Sequence, residues 1–125
     1  MIVKGKTVAF VPSADLSRAA AFYVGVLGLT QKSQDDFALV VEANGVTIRI
    51  AKAEGFSPQP FTILGFDVSD VDATAHALAA KGVAFQHYEG MGQSSSGIWS
   101  APSGSRIAWF KDPDGNVVSI AQHVA

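Results

Sequence analysis

The side chains able to do chemistry in this sequence are few and scattered. Its three histidines, His76, His87 and His123, include no pair at the close spacing by which two imidazoles on one helix or strand face grip a metal ion. There is no cysteine, which excludes disulfides, thiolate metal sites and thiol nucleophiles. His87 could serve as a general base, but no residue that would orient it stands out. His76 lies four residues after Asp72, where a solvated pair on one helix face is a simpler reading than a ligand. His123, close to the end of the sequence, is given no role. Two indoles, Trp99 and Trp109, offer flat apolar surface with a polar edge. Ser119 places a hydroxyl at an alternating position of IAWFKDPDGNVVSI (107–120).

These groups must be positioned by short alternating elements. KTVAFV (6–11) reads as a strand, broken by PSAD (12–15). In LSRAAAFYVGVLGL the residues Leu16, Ala19, Ala20, Tyr23 and Leu27 fall at helical spacing, with Asp15 as cap and Gly28 as terminator. TQKS, FALVVEA (37–43) and VTIRIAKA (46–53) follow as strands, the last two joined through Asn44-Gly45. The first half is therefore βαβββ. EGFSPQP (54–60) is a linker by composition.

The order then repeats. FTILGFDV (61–68) reads as a strand, and SDVDATAHALAAKG (69–82) as a helix whose Ser69 and Asp72 have capping-box spacing and whose Val71, Ala75 and Leu78 form the buried stripe. VAFQHY (83–88), SRIAWFK (105–111) and VVSIAQ (117–122) supply three more strands. Asp15 overlays Asp70, and Gly28 overlays Gly82, at offsets of 55 and 54 residues. EGMGQSSSGIWSAPSG (89–104) has no periodicity, which leaves two readings, a disordered tip or a lid over a pocket. Trp99 and Ile98 within it favour the lid.

Composition limits the partners. At 125 residues and 48% apolar content, the chain can bury roughly two-thirds of its unfolded surface, enough for one compact domain over 1–125, with modules at about 1–53 and 61–125. The formal net charge is −2 and no basic stripe is present, so nucleic acid is not an expected partner. The longest uncharged apolar run, AAAFYVGVLGL (19–29), falls short of the ~20 residues that span a bilayer. MIVKGKTVAFVP lacks the features of a cleaved leader. An unprocessed cytoplasmic protein is the simplest expectation.

DLSRAAAFYVGVLGL in the first module and FKDPDGNVVSI closing the second, in two βαβββ modules, resemble the vicinal oxygen chelate superfamily, which includes glyoxalase I, extradiol dioxygenases and bleomycin-resistance proteins. The resemblance covers nearly the whole chain. It implies an α+β fold in which both modules form a cup-shaped mixed sheet, often in a homodimer. It also implies, for the metal-dependent members, ligands at inward-facing strand positions. Carried over, those positions fall at Val8 (or Thr7), Arg49, Ile63 and Ser119, none of which supplies the expected donor. The motif DPDGN itself reads as a turn recipe whose carboxylates hold backbone.

No metal or other cofactor is therefore expected. The candidate ligand-binding residues are Trp109, Trp99, Ser119, Arg49, His87 and Phe10. Trp109 either stacks on ligand or belongs to the core, and strand alternation alone favours a core place for Phe10 and Phe85. Arg49 would bind an anion if it faced inward, and otherwise meets water; Arg106 raises the same question. Alternation places Val117 and Ala121 beside Ser119, with Val118 and Ile120 on the helix side. The leading expectation is a metal-independent protein binding a small planar or anionic molecule. The alternatives are a glyoxalase-like lyase or isomerase working through His87 with Arg49 or Ser119, and an interaction module with no ligand.

Overall fold

The computed structural model describes residues 2–124. The chain divides into two compact units, Met1–Ser57 and Pro58–Ala125, at a point inside the 54–60 stretch. In the first, β1 (Val8–Ser13) is followed by α1 (Leu16–Ala20), β2 (Thr30–Gln34), β3 (Ala38–Ala43) and β4 (Val46–Lys52). In the second, β5 (Thr62–Asp67) is followed by α2 (Val71–Ala80), β6 (Trp99–Ser100), β7 (Arg106–Lys111) and β8 (Val117–Gln122). The fold is α+β, with two modules of βαβββ order.

Each module builds one four-stranded mixed sheet, and the orders correspond: β1-β4-β3-β2 and β5-β8-β7-β6. The parallel pairs are β1 with β4 and β5 with β8, and all other neighbours are antiparallel. The internal repeat therefore extends to strand pairing. It reaches the helix starts as well: Asp15 (φ −144°, ψ 102°) and Asp70 (φ −143°, ψ 98°) cap their helices in one conformation. Their Oδ1 atoms accept from Arg18 N at 3.1 Å and Ala73 N at 3.0 Å. Gly28 and Gly82 follow the helical segments with φ of 78° and 92°, a region a side chain resists.

In the first module, direct pairing puts Val11, Ile50 and Leu39 in one row and Ile48 and Val41 in the next, all at most 2% exposed. α1 packs on β3 and β4, burying Leu16 and Ala19, and Tyr23 in the helical segment that follows is buried as well. Each buried aliphatic side chain contributes about 1.5–3 kcal/mol of transfer free energy. The Asn44-Gly45 turn joins β3 to β4 with both residues at positive φ, as a two-residue hairpin requires.

Four expectations are corrected. The helical pattern over 16–27 is α only to Ala20; over Ala21–Val26 it widens to a π-helix, with Leu27 N donating to Phe22 O at 2.9 Å. The wider turn rotates the end of the segment out of the buried stripe, and Leu27 is only half-buried. β1 runs on through Pro12 to Ser13, because it is an edge strand and a missing N–H there costs no ladder bond. The cap of α2 is Asp70 and not Ser69, while the Asp72 carboxylate goes to Arg106.

The fourth correction concerns VAFQHY. It is not a strand: only Phe85 bridges Phe110, with Gln86 N donating to Trp109 O at 2.8 Å. The chain then leaves the edge of β7 and returns to it as β6, where Trp99 and Ser100 pair with Ile107 and Arg106. Between them lies an excursion fixed largely by one side chain. Gln93 Nε2 donates to Gln86 O and Gly97 O, each at 2.8 Å, and Gln93 Oε1 accepts from Tyr88 N at 2.6 Å. No helix among the described residues is long and apolar enough to cross a membrane.

Candidate functional site

The second sheet has two differently furnished faces, and neighbouring bonds identify them. Arg106 on β7 grips the Asp72 carboxylate of α2 with both guanidinium nitrogens, NH2 to Oδ1 at 3.0 Å. Gln122 Oε1 on β8 accepts from Val71 N at 2.9 Å. Arg106, Ala108 and Phe110, with Val118, Ile120 and Gln122, therefore face α2, and the alternate residues face away. Arg106 thus belongs to a helix clamp.

The ion pair holds the Asp72 carboxyl below its ordinary range, through the hydrogen bond from Arg106 first and its charge second. A lowered folded-state value means the contribution is present at neutral pH and is lost as pH falls through the carboxylate range. Thermal melts of Asp72→Asn should accordingly lie below the parent at neutral pH and converge with it under acid. A constant gap down to strongly acid pH would disprove this linkage.

On the helix-free face, Trp109 stands opposite Ser119, and Ser119 opposite Gly65. The next row runs Trp99, Ile107, Ala121 and Asp67. Three aromatic rings gather over this surface. Tyr88 meets Trp109 edge-on with centroids 5.7 Å apart, and Trp99 lies 6.2 Å from Trp109 at an interplanar angle of 34°. Beside the rings the floor is made of Gly65, Ser119 and Ala121, all small. A Cβ on Gly65 would sit 2.8 Å from Ser119 Oγ. Gly65→Ala should therefore turn the Ser119 hydroxyl with little change in melting temperature, and shift the affinity of a molecule resting on this floor several-fold, about 1 kcal/mol; unchanged binding in a titration would show that this floor is not used.

Of the sequence candidates, Trp109, Trp99 and Ser119 meet on this face. Trp99 is a half-buried residue of β6, paired with Ile107 on the edge of β7, with its ring tilted beside that of Trp109. His87 is elsewhere, lining a groove beside α2 with His76, Ser95 and Ser96. Ser95 and Ser96 of the irregular segment thus cover part of the helix side. Arg49 and Phe10 belong to the first module, where they pair directly across β4 and β1. Phe10 is 64% exposed, so the expectation of a core ring is overturned: its row faces away from the buried Val11 and Ile50. Arg49 is exposed beside it, and its charge reaches Asp35. Asp35 Oδ1 accepts from Phe37 N and Ala38 N at 2.8 and 2.9 Å, and these bonds more than Arg49 hold its carboxyl low.

Tyr88, Gly65 and Gln93 were not among the candidates. The alternation of VAFQHY carries the signal for Tyr88, since it sets Tyr88 and His87 on opposite sides. Gly65 carries its own, a residue without a side chain inside a strand, which marks a close approach.

The positions that the resemblance assigns to metal ligands do not fit a divalent ion. Val8 and Ile63 offer no lone pair, Arg49 is a permanent cation, and Ser119 brings one neutral hydroxyl. Among the described residues no three His, Asp or Glu side chains converge. Asp112 and Asn116 of DPDGN are buried and spend their polar atoms on the turn.

A family model described as Glyoxalase/Bleomycin resistance protein/Dioxygenase superfamily matches residues 7–120. Among solved structures, a putative glyoxalase family protein from Bacillus anthracis superposes with TM-score 0.76 at 16% identity, over 98% of this chain and 97% of that one. An antibiotic binding protein from Streptomyces sp. CB03234 gives 0.74 at 24% identity, over 99% of both chains. A bleomycin resistance determinant encoded on the transposon Tn5 gives 0.75 at 17%, over 96% of this chain and 98% of that one. No curated protein matches the chain.

Proposed function

The chain belongs to the glyoxalase/bleomycin resistance protein/dioxygenase superfamily, and from that premise we propose that it binds a small planar molecule, without a metal ion, on the helix-free face of its second sheet. The observation that carries this reading is the meeting of Tyr88, Trp99 and Trp109 beside a floor of Gly65, Ser119 and Ala121. Offset and edge-on rings present both π-face and C–H edge to a flat ligand, and the small floor leaves room for its thickness. Ser119 supplies one hydroxyl to fix orientation.

Metal independence is supported by the donor set, since Val8, Ile63, Arg49 and Ser119 cannot coordinate a divalent ion together. For an anionic molecule the first sheet offers a cation of its own, Arg49, with the exposed ring of Phe10 alongside. The exposed rings of Phe10, Phe37 and Phe61 support a homodimer, which sedimentation equilibrium would report as twice the chain mass. A lyase or isomerase working through His87 and Ser119 gains no support, because those two side chains occupy opposite sides of the second sheet.

The test is a titration of the purified protein with planar metabolites and antibiotics, following tryptophan emission with and without a chelator. Saturable quenching that survives chelation supports the reading. Silence of both indoles toward every compound, or stoichiometric metal in elemental analysis, overturns it.

A further inference from the structure

On the helix side of the second sheet, α2 and the excursion after Gln86 line an open groove of about 620 Å³, within the ~300–1,000 Å³ range of small-molecule pockets. We propose that this groove is a second ligand site, distinct from the aromatic face, and that it takes a small carboxylic acid with an apolar aryl or alkyl body. Its floor is apolar, with Ala75 and Ala79 one turn apart on α2 and Val83 and Phe85 beyond them. The alanines keep the helix wall low, which creates the space. Phe85 is held in place by its edge-on contact with Phe110, centroids 5.7 Å apart.

The rim is rich in hydrogen-bond donors. His76 stands on the helix, and His87 and Ser95 on the excursion; none of these three side chains has a hydrogen-bond or ionic partner among the described residues. The rim's carboxylate, Asp72, is occupied by both nitrogens of Arg106 and so presents no unpaired negative charge. Two imidazoles and a hydroxyl each hold one donor that nothing opposite accepts, beside acceptor atoms of their own, and a carboxylate can collect several of those donated bonds at once. An apolar body on Ala75, Ala79, Val83 and Phe85 completes the match.

The wall is also set before any ligand arrives. Gly97 is buried at φ 89° so close to its neighbours that a Cβ there would lie 2.9 Å from Phe85 Cβ and 3.7 Å from His87 Nε2. Gln93 fixes the backbone on both sides of His87. A preformed wall loses little conformational freedom on binding.

Two-dimensional amide NMR of the full chain, titrated with 2-naphthoate and separately with the neutral 2-naphthamide, tests the site. The expected result is saturable shifts at Ala75, Ala79, His87 and Gly97 with the acid bound about tenfold more tightly than the amide. That preference should vanish in the His76→Gln, His87→Gln double variant, and the shifts in Ala79→Leu, which fills the groove from an exposed helix position. Groove shifts should persist in Trp109→Ala, which separates this site from the aromatic face. Equal affinity for acid and amide, shifts confined to Trp109 and Ser119, or no groove shift at millimolar probe would each overturn the proposal.

Discussion

Replacing Asp112 by alanine should lower the unfolding free energy by about 2–4 kcal/mol, read as a drop of roughly 10 °C in melting temperature for a chain of this size. Asp112 is 5% exposed, and its carboxylate answers three donors. Oδ1 accepts from Asp114 N and Asn116 N, both at 2.9 Å, and Oδ2 from Asn116 Nδ2 at 3.0 Å. Asn116 is itself only 2% exposed, so water cannot replace the lost acceptor without opening the turn. The loss has a second consequence. This turn sets the register in which Trp109 faces Ser119, and a slip of β8 by one residue against β7 would turn Ser119 to the helix side and break up the pair. Asp112→Asn keeps one acceptor oxygen and should cost less than the alanine. Denaturant unfolding that moves by under ~0.5 kcal/mol for Asp112→Ala would show that the turn holds without it.

The second large effect is expected at Trp109, where alanine should weaken binding of a planar ligand by about 30-fold or more, on the order of 2 kcal/mol, while far-ultraviolet circular dichroism stays that of the parent. The indole touches both other rings, so its removal takes away the middle of the aromatic surface and leaves Tyr88 and Trp99 without a shared neighbour. Trp109→Phe retains a ring face and should fall between. Ligand affinity of Trp109→Ala within a factor of about two of the parent would remove the aromatic face as the binding site. Calorimetric titration gives this number without relying on the indole that has been removed.

Much of the architecture was legible because it is local. The strand, cap and turn signals each depend on a few adjacent residues, and Asp15 with Asp70 repeated the same instruction at the start of both helices. The resemblance carried the rest of the topology. Where the reading failed, a longer-range bond had decided. Ser69 and Asp72 have capping spacing, yet Arg106, distant in sequence, claims Asp72. VAFQHY has strand-forming residues, yet Gln93 draws the backbone away after Gln86, and Trp99 takes the vacated edge. Phe10 alternates like a core residue, but alternation names two faces without saying which one is covered. For the site, residue types nominated Trp109, Trp99 and Ser119, and the structure brings these three to one face of the second sheet. They could not separate His87 from that group, because its side of the sheet depends on a bridge at Phe85 that no local pattern announces.

One amide, that of Gln93, serves Gln86, Tyr88 and Gly97 together. His87 and Tyr88 are consecutive and look toward opposite sides of the sheet, so the same tether aligns a wall of the groove and a ring of the stacking surface. On the two proposals above, a lineage of such proteins could not retune one of these surfaces through this segment while leaving the other untouched. Any change of Gln93 would be inherited by both at once.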